Sequence, residues 1–169
     1  MICKGFNHVA RRDAQILILG TLPGAESLGQ RQYYAKKANR FWWIMGELVG
    51  ASPSLPYQRR LELLKAKGIA LWDVCASAER SGSLDSKINL RTVVANDFDK
   101  FLRDHEQVKL ICFNGRKARS LYCRKALLTC DVLAIRHEVL PSTSPAYAAM
   151  SCEVKLAHWR GILSEYITK

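Results

Sequence analysis

The chain has 169 residues, 49% of them apolar, and carries 26 Lys and Arg against 15 Asp and Glu, a formal net charge of +11. That length fits a single domain spanning 1–169 with a sizeable core, and the apolar share excludes a disordered polyelectrolyte. A folded domain this basic usually meets a polyanion, nucleic acid being the commonest, although a lysine-rich soluble surface gives the same balance.

In chain order, "QILILG" (15–20) is a continuous apolar run stopped by Gly, which predicts a strand buried on both faces. "NRFWWIMGELVG" (39–50) predicts a helix with Asn39 as N-cap and Gly50 as terminator, and "YQRRLELLKAKG" (57–68) a basic helix ending at Gly68. "IALWDVC" (69–75) and "VKLICF" (108–113) read as strands, and "NDFDKFLRDH" (96–105) between them as a helix capped by Asn96. "GRKARSLYCRKAL" (115–127) predicts a strongly basic helix and "VLAIRHEVL" (132–140) a last strand. A C-terminal helix starts near Ser151, with Val154, Leu156, Trp159, Ile162, Leu163 and Tyr166 close to one face. Strands alternating with short-looped helices predict an α/β fold, a three-layer α/β/α sandwich around a mainly parallel four-stranded sheet. In such sheets ligands bind beyond the carboxyl ends of the strands, which selects residues 20–39, 73–85, 113–116 and 141–147.

The positive charge is clustered. Residues 107–130 hold Lys109, Arg116, Lys117, Arg119, Arg124 and Lys125 with no acid, and residues 27–46 hold Arg31, Lys36, Lys37 and Arg40 with none. Solvated helix faces mix their signs, so these stretches are expected to face phosphate. The six cysteines, at 3, 75, 112, 123, 130 and 152, form no C-x-x-C pair. That spacing suits neither zinc nor an iron–sulfur cluster, so no metal and no cofactor is expected and the thiols read as buried and free. No signal segment opens the sequence, and no apolar run nears the roughly 18 residues of a membrane span. The expectation is a soluble monomer of the cytoplasm, at the nucleoid in a prokaryote or in the nucleus of a eukaryote.

Two loops carry chemistry. "GTLPG" (20–24) is a tight turn whose glycines allow a ligand to approach the backbone. It lacks the Gly-Lys-Ser/Thr of a P-loop and the G-x-G-x-x-G of a dinucleotide fold. "LPSTSPA" (140–146) sets three hydroxyls between two prolines, a stiff loop dense in phosphate hydrogen-bond donors. The histidines, at 8, 105, 137 and 158, stand in no recognisable nucleophile setting, which argues against a serine hydrolase.

On "GTLPGAESL", "QYYA", "NRFW", "WDVCASAERSGSLDSKI", "FNGRKA" and "LPSTSPAYA", the sequence resembles the uracil-DNA glycosylase superfamily from about residue 5 to 163. Within it, the chain is similar to the hypoxanthine-DNA glycosylase branch (family six, deoxyinosine glycosylases). The resemblance implies DNA as partner and hydrolysis of the N-glycosidic bond of a flipped deaminated base, leaving an abasic site. Uracil or G:T/G:U mismatch excision, and a DNA-binding homologue weak in catalysis, are the alternatives.

The resemblance also implies roles for residues. Leu22 stands where most of the superfamily has a polar group near the sugar, so Asn39, beyond the paired tyrosines, is implied as the catalytic residue. An amide orients water or hydrogen-bonds the leaving base, and it also suits a plain helix cap. Asp73 matches a position that reads the base. Ionised, it accepts the N1–H of hypoxanthine and repels the bare N1 of adenine; its other reading is an ion pair at a strand end. Tyr34 is implied as the stacking ring, with Leu22, Phe113 and Asn114 around the base. Ser142 and Ser144 are implied as phosphate-pinching serines and Tyr147 as the plug in the emptied stack, with Arg116, Lys117, Lys36 and Lys37 on the DNA backbone. Trp42 and Trp43 read as core.

Overall fold

In the computed structural model, which describes residues 1–126 and 135–167, the chain opens with a short strand, β1 (Ile2–Lys4), and the fully buried β2 (Ile16–Gly20). Helices α1 (Ala25–Gln30), α2 (Phe41–Val49) and α3 (Tyr57–Ala66) lead to β3 (Ile69–Asp73) and β4 (Cys75–Glu79). A 3-10 turn (Asp85–Lys87) and β5 (Val94–Ala95) precede α4 (Phe98–Asp104), β6 (Leu110–Asn114) and α5 (Arg116–Lys125). Strand β7 (Arg136–Leu140) and helix α6 (Cys152–Leu163) follow.

Four strands form a parallel sheet in the order β3-β2-β6-β7. Its strands alternate between two apolar layers. Leu17, Leu19, Ala70, Trp72, Ile111 and Phe113 point into one core, with α4, α5 and the start of β4. Ile16, Ile18, Ile69, Leu71, Leu110 and Cys112 point into the other, where Phe41, Trp42, Leu64, Trp159 and Leu163 of α2, α3 and α6 cover them. With both faces covered, the strands read as unbroken apolar runs, which is why they were legible. The expected α/β/α sandwich is the observed one.

The expected strand 69–75 is broken at Val74, whose N–H donates to the carbonyl of Gly20 at 2.9 Å; Cys75 then begins β4. β4 pairs antiparallel with β1 and β5 in a second, three-stranded sheet that the sequence did not announce. Its strands are two to five residues long and partly exposed, too short for periodicity to speak. Asp97 rather than Asn96 caps α4, accepting from Lys100 N at 2.9 Å, because the Asn96 side chain donates to the carbonyl of Asp73 at 2.7 Å. On α6, Ser151 is the cap as expected, but Val154 is 47% exposed while Lys155 is buried. Cys3, Cys75 and Cys112 are buried free thiols, Cys123 is exposed on α5, and Cys152 is half-buried. Cys130, Leu127 of the expected helix and residues 132–134 of the expected strand lie outside the described residues. Among the described residues no helix is long and apolar enough to cross a membrane.

Trp159 joins this scaffold to the loop after β7. It is fully buried, and its Nε1–H donates to the carbonyl of Pro141 at 3.0 Å. Trp159→Phe keeps most of the apolar contact but strands that carbonyl, so urea unfolding should show a loss of about 1–3 kcal/mol. Trp159→Ala should cost about 3–5 kcal/mol. Equal stability of Trp159→Phe and the parent would remove the bond from the account.

Candidate active site

The four parallel strands end around one cavity of about 600 Å³, and each of the four segments selected by the strand-end rule reaches it. Gly20 and Asp73 are register partners at the ends of β2 and β3. A side chain on Gly20 would overlap Asp73 Oδ1 and lie 3.1 Å from Tyr34 Oη, so glycine is required for these groups to converge.

Asp73 is 4% exposed, and its Oδ2 has no hydrogen-bond partner among the described residues. No Lys or Arg pairs with it there, so the ion-pair reading does not apply. Burial pushes its carboxyl up to about 7, Asp85 adds to the rise, and Arg80 opposes it. The ionised form weighed from the sequence is therefore one of two. Near neutral pH the protonated form is well populated and offers a donor beside its acceptor.

The "GTLPG" turn is held by a residue that the motif search passed over. Arg80, itself buried, donates to the carbonyls of Gly82 (2.9 Å), Leu22 (3.2 Å) and Pro23. One guanidinium thus fastens the first turn to the "GSLDS" loop. Thr21 Oγ1 donates to Asp85 Oδ1 at 2.6 Å, bringing a second carboxylate to the cavity. The "GSLDS" match pointed at this loop, but nothing in the sequence showed that Asp85 would meet Thr21. Leu22 is buried and lines the cavity with an apolar side chain.

The two tyrosines do different things. Tyr33 is scaffold: buried, it donates from its hydroxyl to Asn7 O (3.1 Å), takes Trp42 Nε1–H on its carbonyl (2.8 Å) and donates its N–H to Tyr57 Oη (2.9 Å). Tyr34 has φ 55, a left-handed backbone uncommon for a bulky residue and costing of order 1–3 kcal/mol. Its ring stacks on Phe41 at 3.9 Å, and its hydroxyl is buried in the cavity without a hydrogen bond. Asn114 stands near that hydroxyl and exchanges two hydrogen bonds with Thr143, through Nδ2–H to Oγ1 and Thr143 N–H to Oδ1, each 2.9 Å, which leaves its second Nδ2–H on the hydroxyl's side to hold down the phenol's pKa. Burial and then Asp73 raise the phenol's pKa, so it stays protonated. Trp42 is core, and Trp43 is half-buried against it.

Asn39 is not the N-cap, as α2 begins at Phe41 behind Arg40. Its Oδ1 nevertheless accepts Phe41 N–H at 3.0 Å, which fixes the amide and leaves Nδ2 for the cavity that Asn39 lines. Beyond β7, Ser142 and Ser144 line the cavity mouth, their oxygens accepting the N–H groups of Ser144 and Ala146 at 3.2 Å, so their O–H groups remain for a ligand. Buried Thr143, unmarked by the sequence, locks this loop to Asn114 and takes Arg40 N–H on its carbonyl at 3.0 Å. Tyr147 stands 39% exposed at the rim, and Lys155 Nζ donates to its carbonyl at 2.7 Å.

Lys36 lines the cavity; Lys37 is exposed beside it. Arg116 is exposed and Lys117 half-buried on the first turn of α5, outside the cavity wall. Phe113 is corrected. It is fully buried, 5.1 Å from the Tyr122 ring and 5.7 Å from His137, because strand alternation turns it into the core and leaves Asn114 at the cavity.

A family model described as Uracil DNA glycosylase superfamily matches residues 6–162. The chain is 42% identical over 119 residues to a hypoxanthine DNA glycosylase of Methanosarcina acetivorans, covering 70% of this chain and 74% of that protein. It is 40% identical over 116 residues to a hypoxanthine DNA glycosylase of Methanosarcina barkeri, covering 68% and 72%. A solution NMR structure of a candidate uracil DNA glycosylase from Methanosarcina acetivorans superposes with a TM-score of 0.78 at 34% identity, over 98% of this chain and 99% of that one.

The Asp73 carboxyl makes a stability prediction. Its ordinary pKa of 3.8 rises to about 7, so between those values the folded chain holds a proton that the unfolded chain has released. This group therefore makes stability fall as pH rises from about 4 to 7, the reverse of a salt-bridged Asp. In thermal melts from pH 4 to 8, Asp73→Asn should gain on the parent across that window and level off above it. A difference independent of pH would show that burial does not shift this carboxyl.

Proposed function

The chain belongs to the uracil DNA glycosylase superfamily, and we propose that its cavity receives a deaminated base flipped out of DNA, hypoxanthine first, and releases it by hydrolysis of the N-glycosidic bond. The observation that carries this reading is the buried, unpartnered pair of polar groups at the closed end, Asp73 Oδ2 and Tyr34 Oη. Buried polar groups without partners are costly, and a ligand with complementary edges removes that cost. The lactam edge of hypoxanthine supplies an N1–H for Asp73 in either protonation state, beside an O6 acceptor. Adenine, with a bare N1, pairs with the acid form alone.

The remaining side chains divide the work. Tyr34, held by Phe41, presents a ring on which an extruded base can stack, offsetting the few kcal/mol that flipping costs. Leu22 walls the base with an apolar surface. Asn39 Nδ2 donates to the base as electrons flow into it from the breaking bond, an interaction stronger in the transition state than in the ground state. Ser142 and Ser144 hold phosphates at the mouth, and Tyr147 fills the gap left in the stack. Lys36, Lys37, Arg116 and Lys117 contact the backbone on either side. The chain acts as a monomer and needs no cofactor for this chemistry.

Single-turnover assays on labelled oligonucleotides carrying inosine, uracil, xanthine or thymine test the proposal. Inosine should be cut fastest, and Asn39→Ala should slow its removal about 10²–10³-fold while duplex affinity holds. Loss of the Phe41 N–H contact should cost only about 1 kcal/mol of stability. A folded Asn39→Ala protein with the parental rate would reduce Asn39 to a helix-start residue.

Binding carries its own prediction. Affinity for duplex should fall linearly in log–log plots against salt, with a slope set by several phosphate contacts. Replacing Arg116 and Lys117 with Glu should flatten that slope and leave the order of base preference unchanged. Affinity indifferent to salt would refute the phosphate assignment.

A further inference from the structure

Base excision needs more than a reading edge. The cation that develops at the sugar must be stabilised, and a water must lose a proton as it attacks. Leu22 supplies neither, and the Leu22 and Pro23 carbonyls of the first turn are both engaged by Arg80. Asn39, Tyr34, Ser142 and Ser144 are neutral and take no proton from water near pH 7. Three carboxylates line the cavity: Glu26 is exposed on α1, while Asp73 and Asp85 are held at the strand end and, through Thr21, at the first turn. Asp73 sits at the closed end, 4% exposed, where the base goes. Asp85 is half-buried on the rim loop, between exposed Leu84 and exposed Ser86. A flipped nucleotide enters base first and leaves its sugar at the rim. The rim carboxylate is the one that meets it.

Resting on the excision reading above, we infer that Asp85 is a second catalytic carboxylate, tethered to the first turn by Thr21, which faces the sugar and the attacking water. The Thr21 bond occupies Oδ1 at 2.6 Å and fixes the plane of the carboxylate, leaving Oδ2 for water. In the step, the bond from the anomeric carbon to the base nitrogen breaks and its electron pair leaves with the base. The water oxygen bonds to that carbon, one water proton passes to Asp85 and from there to solvent, and the departed base takes one proton from solvent to end neutral. The charged and titratable groups around Asp85 suit this role. Burial raises the pKa of Asp85 above its ordinary value, which suits a proton acceptor, while the Thr21 bond, Arg80 and Lys117 oppose the rise; Asp73, Tyr34 and Cys75 share its surroundings. Asp73 lies deeper, 4% exposed, and Asp85 is half-buried at the rim, so the two carboxyls divide by position into one at the base and one at the sugar.

Abasic-site analogues test this without turnover. Duplex DNA with a cationic pyrrolidine in place of the sugar resembles the transition state in charge, whereas a tetrahydrofuran duplex has the shape alone. The parent should prefer the pyrrolidine duplex, and Asp85→Asn should lose at least about 10-fold of that preference with tetrahydrofuran affinity unchanged. Single-turnover removal of hypoxanthine should fall roughly 10²-fold in Asp85→Asn. Thr21→Val, which frees the carboxylate without removing it, should show smaller losses of the same kind, and it decides the matter should Asp85→Asn fail to fold. Preference retained in both variants would overturn the inference, as would its loss in Asp73→Asn but not in Asp85→Asn. A parent that cuts none of the four modified bases would instead overturn the excision reading, and this inference with it.

Discussion

Gly20 lies opposite Asp73 at the carboxyl ends of two adjacent parallel strands, and the lack of a side chain there decides what the cavity can be. Any Cβ at that point would occupy the space of Asp73 Oδ1, so the carboxylate would have to turn out of the floor. With glycine, the carboxylate oxygen and the Tyr34 hydroxyl can both pack against the end of β2. The carboxylate's desolvation, and hence its tendency to keep a proton, follows from this packing. The Asn96 side chain fixes the backbone of the same residue by donating to the Asp73 carbonyl. The floor is thus rigid before any ligand arrives.

Rigidity at the floor needs matching rigidity in the wall, and Arg80 supplies it. A buried guanidinium usually faces a carboxylate, yet this one donates to three carbonyls from two different loops. Its positive charge remains available to both nearby acids without closing a salt bridge on either. A lysine could not do the same: its compact ammonium lacks the planar fork that reaches three acceptors at fixed angles. The Asn114–Thr143 pair does the corresponding job on the far wall. There an amide and a threonine exchange two hydrogen bonds and join the end of β6 to the loop after β7.

The division between what the sequence revealed and what it concealed follows from these contacts. Strands β2, β3 and β6 were legible because burial on both faces writes itself as continuous apolar runs. The location of the cavity followed from the strand-end rule, and Tyr34, Asn39, Asp73, Ser142 and Ser144 all line it. Asp85, Arg80 and Thr143 were not legible, because each acts through a partner 29 to 64 positions away along the chain. Phe113 was misplaced through adjacency. It neighbours Asn114 in sequence, but a period of two sends neighbouring strand residues to opposite faces. Val154 and Lys155 exchange their expected places on α6 for another reason: an amphipathic stem can be buried when its amine finds an acceptor, here the Tyr147 carbonyl.

The charge pattern of the whole molecule and that of the cavity are opposite in sign, and the contrast has a physical use. A chain of net charge +11 attracts the DNA backbone at long range. A uniformly basic surface would also draw phosphate into its deepest concavity, where it would block the site. Here the cavity lining sets Asp73 on the floor, Asp85 at the rim and exposed Glu26 against a single amine, that of Lys36, so an anion entering it meets more carboxylates than amines. A neutral base meets no such barrier, and a sugar acquiring positive charge is favoured. On the proposed excision reading, the basic groups hold the backbone outside, the hydroxyl-rich loop grips it at the mouth, and the acids favour entry of the uncharged part of the nucleotide. On that reading, selection of a base over a phosphate begins with the arrangement of charge, before any hydrogen bond reads the base's edge.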